Sequence, residues 1–193
     1  MIDLCNALGI EPIITMAMDL NNATDWADLV EYLFGNGTTT WGAQRIADDH
    51  PAPYNATWFE LGNEQYNPDF VTQVAAMEAR ATSLGLPGVF RYMFPTNEGM
   101  NATDAARAAE LGLPIHNIMP DIHIGAGGAV EVAEADFTAL PDFPQSAINC
   151  ETNAATHTLE RALQEAADLN DWFSIPPTDQ PRILARTASF CTG

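Results

Sequence analysis

Two carboxylates each follow a short apolar segment that has the character of a β-strand. Glu64 comes directly after Asn63 at the end of the segment 58–62, and Glu151 follows the segment 146–150. In parallel α/β folds the carboxyl ends of the strands meet at one edge, where catalytic groups collect. Hydrolysis of a glycosidic bond needs two such acids, one to protonate the leaving group and one to attack or to activate water. The sequence therefore predicts glycoside hydrolysis by Glu64 and Glu151.

The surroundings of the two acids predict different roles for them. Apolar Trp58 and Leu61 lie in the strand before Glu64. Partial desolvation and a second carboxylate nearby favour the protonated form of a carboxyl group, which suits Glu64 as acid and base. Glu151 is then the ionised nucleophile, and the amide of Asn63 is placed to hydrogen-bond a sugar hydroxyl. The alternatives are a surface acid at position 64 and a helix-start acid at position 151.

His123 lies near the end of another candidate strand, 118–124. It is expected either to orient the nucleophile or bind a sugar hydroxyl, or to be a structural histidine. The spacing of Asp121, His123 and His116 matches no standard metal site. Glycines within 125–128 follow the strand but lack the spacing of a dinucleotide-binding loop. The sequence therefore predicts no metal and no cofactor.

The charge of the chain restricts its partners. With 26 acidic and 7 basic residues among 193, the formal net charge is -19. Such a field repels nucleic acid and anionic lipid, whereas a neutral glycan is compatible with it. No apolar run approaches the ~18 residues that would indicate a membrane span. We therefore expect a carbohydrate partner, with neither nucleic acid nor membrane.

Four Asn-X-Thr patterns bear on localisation. Segment 1–5 has no basic stretch before its apolar residues and is followed by no small-residue cleavage site, so it does not resemble a signal peptide. The four patterns favour a secreted or extracellular protein, and chance occurrence is the alternative. Their asparagines are Asn22, Asn36, Asn55 and Asn101.

Leucine–glycine pairs followed by proline mark three predicted helix ends, at 8–9, 84–85 and 111–112. Glycine there adopts the left-handed conformation that ends a helix, and proline prevents its continuation. A short apolar run follows each of these three helix ends, and two further apolar runs lie elsewhere in the chain. We interpret all five runs as strands. The predicted strands lie near 13–18, 57–63, 89–94, 118–124 and 146–151.

Helices are predicted between these strands. Asn67-Pro68 indicates a cap and a first turn for a helix to Ser83, and Asn101 or Thr103 is expected to cap a helix to Leu111. The stretch 36–55 has the composition of a long loop on the rim of the domain. A helix over 156–173 is expected to bury one stripe, formed by Leu159, Leu163, Ala166, Leu169 and Phe173.

Alternating strands and helices predict an α/β fold. A doubly wound open sheet gives the same alternation, but Glu64 and Glu151 lie on strands three apart, which face each other across the mouth of a closed barrel. A complete (β/α)8 TIM barrel needs about 250 residues. We therefore expect residues 1–193 to be one partial TIM-barrel domain. We expect it to comprise strands 3 to 7, with the run 183–190 as a candidate for strand 8, and to lack the first two strands.

Five segments in the range 18–64 carry a family resemblance. In order and spacing they resemble the α-L-arabinofuranosidases of glycoside hydrolase family 51, which belong to clan A of the retaining glycosidases. The segments are Met18-Asp19, Trp26 to Tyr32, Trp41 to Arg45, His50 to Asn55 and Leu61 to Glu64.

The resemblance implies a retaining double displacement that removes terminal arabinofuranosyl residues from polysaccharide. Glu64 is then the acid/base, Glu151 the nucleophile, and Asn63 contacts the hydroxyl next to the anomeric carbon. It also implies a C-terminal β-sandwich domain, which this chain lacks. The chain departs from the family pattern at Gly125 and at 152–154, where the family often has aromatic residues. Another clan A glycosidase (a β-xylosidase or endoglucanase) and a non-catalytic carbohydrate-binding pseudoenzyme are the alternatives.

Overall fold

The computed structural model describes residues 1–17, 22–95 and 100–121, together with short pieces at 124–125, 147–149, 152–153, 159, 163, 166–167 and 183–186. Its helices are α1 (Ile2–Leu8), α2 (Ala23–Phe34), α3 (Thr40–Ala47), α4 (Phe70–Ser83) and α5 (Ala102–Glu110), with a 3-10 turn at Ile115–Asn117. Its strands are β1 (Ile13–Thr15), β2 (Trp58–Glu60), β3 (Arg91–Phe94), β4 (Ile118–Pro120), β5 (Ile124–Gly125), β6 (Ala147–Asn149), β7 (Thr152–Asn153) and β8 (Ile183–Arg186).

The first four strands form a parallel sheet in the order β1-β2-β3-β4. Helices lie between successive strands, so the predicted α/β alternation is confirmed for this part of the chain. Each strand falls within its predicted segment, although the strands are shorter than predicted. Two further parallel pairs, β5 with β7 and β6 with β8, follow later in the chain. Closure of these strands into a barrel stays a prediction.

Both faces of the four-stranded sheet bury apolar side chains. Phe59, Tyr92 and Ile118 belong to a large core that includes buried residues of α2 and α4. On the other face, Met93 and Met119 are fully buried and form a second, smaller cluster. Parallel strands that are covered on both faces read as near-continuous apolar runs, which is why the sequence indicated them.

The three predicted helix ends are confirmed. Gly9, Gly85 and Gly112 have φ angles of 68°, 79° and 66°, the left-handed region that glycine enters without a steric penalty. Asn101 caps α5 as expected, since its side chain accepts a hydrogen bond from the backbone N–H of Asp104. These helix boundaries can therefore be predicted from single residues and their neighbours in the sequence.

Residues 36–55 correct the sequence prediction, because the expected loop contains helix α3. Thr39 caps this helix by accepting a hydrogen bond from the backbone N–H of Gly42. Position 42 also needs glycine for packing: a Cβ there would lie 2.3 Å from the carbonyl oxygen of Asn36. The family-like segment around Trp41 thus serves close packing between α3 and the end of α2.

Arg45 of α3 is 1% exposed and binds backbone carbonyls at the end of α2. Its Nη1 donates to the carbonyls of Tyr32 and Leu33 at 2.9 and 3.1 Å. Its Nε donates to His50 at 3.0 Å and its Nη2 to Pro51 at 3.3 Å, again at backbone carbonyls. The last carbonyls of a helix have no partner within the helix, and this guanidinium supplies one. Arg45 therefore ties α2 to the segment that leads into β2.

Replacing this guanidinium is expected to destabilise the fold strongly. Arg45→Met keeps the length of the side chain but removes the donors to the carbonyls of Tyr32, His50 and Pro51, at about 1–3 kcal/mol for each group left unsatisfied. The carbonyl of Leu33 keeps a donor, the backbone N–H of Tyr54. We expect a loss of about 3–5 kcal/mol in the free energy of unfolding, measured by urea denaturation. Arg107→Met is the matched control, because Arg107 is exposed on α5; its effect should stay within about 0.5 kcal/mol. Equal effects of the two substitutions would contradict this role of Arg45.

The predicted helix over 156–173 is described only at four positions, which have helical backbone. Leu159 and Leu163 are 77% and 64% exposed, and Ala166 is also exposed. The expected burial of this stripe is therefore wrong for these three residues. Helical periodicity shows which side chains share a face, but burial needs a second element against that face.

In the described part of the chain, no helix is long and apolar enough to cross a membrane.

Candidate active site

Asn63 and Glu64 lie just past the carboxyl end of β2, in the position expected from the sequence. Because the four strands are parallel, this end also collects the residues that follow β1, β3 and β4. Both side chains are exposed, so the partial desolvation expected for Glu64 is wrong in the part of the chain that the structure describes. The edge thus presents an amide and a carboxylate to solvent, which is the arrangement that substrate binding requires.

The backbone at this edge is in an unusual conformation. Glu64 has a φ angle of 52°, and Gly62 has 121°, a region that side chains other than glycine rarely enter. A non-glycine residue with positive φ costs of order 1–3 kcal/mol and persists where its surroundings enforce it. Such outliers concentrate at active sites. Nothing in the residues around Glu64 predicts this conformation.

Asn67 closes the base of the loop that carries Asn63 and Glu64. Its side chain is 2% exposed, and its Nδ2 donates to the carbonyl of Leu61 at 2.7 Å. The same amide nitrogen donates to Oε1 of Gln73 at 2.8 Å. The sequence predicted Asn67 as the helix cap, but the cap position belongs to Asp69. Asn67 instead joins the end of β2 to helix α4.

Tyr66 links the same loop to helix α5. Its hydroxyl donates to Oδ2 of Asp104 at 2.5 Å and accepts from Nδ2 of Asn101 at 2.7 Å. Its ring packs on Phe94 at the end of β3, with 5.8 Å between the ring centroids. The hydrogen bond to Asp104, burial and the charge of Asp104 raise the pKa of Tyr66 above its usual value. The hydroxyl is therefore a protonated donor at neutral pH.

Beneath the edge, Glu60 is buried on the sheet face opposite the large core. Thr15 Oγ1 donates to its Oε2 at 2.6 Å. Side chains alternate along a strand, so the sequence predicts that Glu60 points to the same side as Glu64 and pairs with Arg91 of the neighbouring strand. The register instead sets Arg91 beside Trp58 and Met93 beside Glu60. Accordingly, the Glu60–Arg91 pair is not among the ion pairs of the described residues.

Of the predicted site residues, the structure places Asn63 and Glu64 together at the edge. Glu151 and His123 lie outside the described residues, so their roles stay predictions. Asp121 follows β4, is 1% exposed, and donates its backbone N–H to the carbonyl of Phe94 at 2.9 Å. It brings a third polar residue to this edge. Within the described part, no three His, Cys, Asp or Glu side chains are grouped so as to hold a metal.

Sequence reasoning missed Tyr66, Asp104 and the true role of Asn67 at this edge. Tyr66 and Asp104 are 38 positions apart, and nothing in their local sequence predicts contact. The place of Tyr66, two positions after Glu64, could have indicated its importance, because a residue so close to a candidate acid affects the position of that acid.

The described strands and helices define a parallel α/β fold with an Asn-Glu pair at the carboxyl edge of its sheet. A family model places the chain more narrowly. The sequence profile of the alpha-L-arabinofuranosidase 1 domain family matches residues 1–124. The chain therefore belongs to this family, as its sequence resemblance indicated.

Individual relatives agree with the assignment. An extracellular exo-alpha-L-arabinofuranosidase of Streptomyces chartreusis is 42% identical over 45 residues, which are 23% of this chain and 6% of that protein. The family 51 alpha-L-arabinofuranosidase of Bifidobacterium longum has a similar structure, with a TM-score of 0.66 and 13% identity over 97% of this chain and 48% of that one. The thermostable GH51 alpha-L-arabinofuranosidase of Thermotoga petrophila has a TM-score of 0.63 and 16% identity. That match covers 97% of this chain and 45% of the other. At these identities the structural likeness shows the fold alone, and the chain spans less than half of either structure.

Proposed function

We propose that the protein containing this chain is a retaining glycoside hydrolase that removes terminal α-L-arabinofuranosyl residues from polysaccharide. Glu64 acts as the general acid and base, Asn63 holds the substrate hydroxyl next to the anomeric carbon, and Glu151 is the nucleophile. His123 orients Glu151 or binds a second sugar hydroxyl. No metal or cofactor takes part in this mechanism.

One observation carries the proposal: in a chain of this family, Glu64 stands at the carboxyl edge of a parallel sheet in a left-handed backbone conformation. Asp49, at the end of α3, also has a positive φ angle, so it is the place of Glu64 at the carboxyl edge together with its conformation that supports the proposal. Exposure of both Asn63 and Glu64 leaves them accessible to a polysaccharide end. The net charge of -19 is compatible with a neutral glycan as substrate.

In the mechanism, Glu64 protonates the glycosidic oxygen while Glu151 attacks the anomeric carbon and displaces the leaving group. The arabinosyl unit is then covalently bound to Glu151, and Glu64, now a carboxylate, removes a proton from the attacking water. The second displacement releases arabinose with the original anomeric configuration. Retention requires the two carboxyl groups to stand about 5–5.5 Å apart.

The substrate class is tested by comparing three aryl glycosides with the intact gene product. We expect hydrolysis of 4-nitrophenyl α-L-arabinofuranoside to exceed that of the β-xyloside and the β-glucoside by at least about 10², the scale at which site contacts discriminate between substrates. Preference for xyloside or glucoside would indicate another clan A glycosidase. Binding of arabinan without turnover of any of the three would indicate a pseudoenzyme.

We also propose that the protein acts outside the cell. The four sequon asparagines are all exposed, and two of them, Asn22 and Asn101, cap helices. The relative from Streptomyces chartreusis is described as extracellular. Fractionation of the source culture, followed by detection of the protein in the medium or in the cells, tests this location.

A further inference from the structure

The loop that carries Glu64 has two attachments of different kinds. Asn67 is buried and holds the base of the loop to the end of β2 and to α4. Tyr66 is 48% exposed, lies only two positions from the acid, and reaches a different strand–helix unit. The first attachment is needed for α4 to begin where it does. The second joins the acid's loop to the first turn of α5.

We propose that Tyr66, held by Asp104 and Asn101, is a positioning residue for the general acid Glu64. This inference rests on the proposed glycosidase function. Between β2 and the buried Asn67, the Tyr66 hydroxyl gives the exposed loop a lateral attachment to α5. The Tyr66 hydroxyl fixes the loop sideways against α5, so that the carboxyl group of Glu64 keeps one position relative to the leaving-group oxygen.

Several features of the contact suit this role. The Tyr66 hydroxyl both donates and accepts a hydrogen bond. It donates to the carboxylate of Asp104, which makes this bond charge-assisted, and it accepts from the amide of Asn101. Asn101 and Asp104 are themselves fixed, because Oδ1 of Asn101 accepts from the backbone N–H of Asp104 at 2.9 Å. The anchor is therefore the rigid first turn of a helix. A side chain that only filled space against Phe94 would not need the hydroxyl.

Positioning matters here because general acid catalysis depends on geometry. Displacement of a catalytic group by about 1 Å can cost on the order of 10² in rate. The left-handed conformation of Glu64 is also a state that the loop would leave if its attachments were weakened. Loss of the Tyr66 hydroxyl should thus affect proton donation to the leaving group more than substrate binding.

Kinetics on two leaving groups separate positioning from a structural role. In the intact gene product, Tyr66→Phe should lower kcat/KM about tenfold on phenyl α-L-arabinofuranoside, out of the roughly 10² to 10⁴ that general acid catalysis contributes. On the 2,4-dinitrophenyl glycoside, which leaves without protonation, the loss should stay below about twofold. An equal loss on both substrates would overturn the proposal, as would no loss on either.

Three further variants complete the kinetic test. Asp104→Asn keeps an oxygen acceptor and should retain most of the activity on the phenyl glycoside, whereas Asp104→Ala should reproduce Tyr66→Phe. Tyr32→Phe is the matched control, because it removes another tyrosine–aspartate bond, Tyr32 to Asp48 at 3.0 Å, between α2 and the end of α3. Its ratio of rates on the two substrates should equal that of the wild type. A changed ratio in Tyr32→Phe would overturn the assignment of the effect to Tyr66.

Amide hydrogen exchange tests the attachment without any activity. Tyr66→Phe should speed exchange about tenfold in peptides covering 62–66 and 101–105, and Tyr32→Phe should leave these peptides unchanged. If the wild-type protein hydrolyses none of the glycosides, the proposed function fails, yet the exchange measurement still decides whether Tyr66 holds the loop. Unchanged exchange in Tyr66→Phe would overturn the positioning role.

Discussion

Glu64→Gln is expected to abolish useful hydrolysis of arabinan while sparing the first step on activated substrates. Glutamine has the shape of glutamate but donates no proton to a leaving oxygen, and general acid catalysis contributes about 10² to 10⁴ in rate. A nitrophenolate leaves without protonation, so the glycosyl-enzyme should still form. Turnover then stalls, because no base remains to activate water. Added azide should restore turnover and give a glycosyl azide.

The comparison that isolates this effect is Glu110→Gln. Glu110 is an exposed acid at the end of α5, so the substitution makes the same chemical change away from the carboxyl edge. Its rates on arabinan and on the nitrophenyl glycoside should match the wild type. Full activity of Glu64→Gln on arabinan would sink the assignment of Glu64 as the acid.

The segments that carry the family resemblance include one at the carboxyl edge of the sheet and others that pack the fold together. The segment Leu61 to Glu64 lies at the carboxyl edge, where chemistry is expected. The segments around Trp41 to Arg45 and His50 to Asn55 form the connection into the amino end of β2. There His50 stacks on Tyr54 at 3.8 Å between ring centroids and hydrogen-bonds Asp3 of α1 at 2.8 Å. Much of the resemblance therefore concerns packing, and it supports the fold more directly than the reaction.

The features that sequence alone predicted correctly share a local physical cause. Strands β1 to β4 are covered on both faces, so their residues form apolar runs, and the glycines at helix ends are required by positive φ angles. The position of the Asn63-Glu64 pair followed from the end of such a run. In each case the neighbouring residues in sequence carry the information.

The features that were missed depend on partners distant in sequence or on backbone atoms. Helix α3 contains Thr40 and Gly42, which are weak helix formers, and its stability comes from packing on α2 and from Arg45. Backbone carbonyls, the acceptors of Arg45, leave no signature in a sequence. The contact of Glu60 with Thr15 depends on the register between β1 and β2, which the period of two does not determine.

Glu151→Gln is expected to cause the largest loss of rate among the substitutions. A good leaving group on the substrate should not restore its activity. The proposed covalent intermediate forms on this carboxylate, so its loss blocks the first step for good and poor leaving groups alike. Loss of a group that acts in a covalent mechanism can approach 10⁶ in kcat. Azide that attacks the anomeric carbon in place of Glu151 gives the inverted glycosyl azide in one displacement, so it should not restore hydrolysis with retention in Glu151→Gln.

The measurement is the rate of both variants on the dinitrophenyl glycoside, together with the mass of the protein during turnover. Glu64→Gln should accumulate a species heavier by one arabinosyl unit, because the second step is slow without a base. Glu151→Gln should show no such species. If Glu151→Gln accumulated the adduct and Glu64→Gln did not, Glu64 would be the nucleophile and the two roles would be exchanged. If neither variant lost activity, the catalytic pair would have to be sought elsewhere on the carboxyl edge, and Asp121, buried at the end of β4, would be the next acid to test.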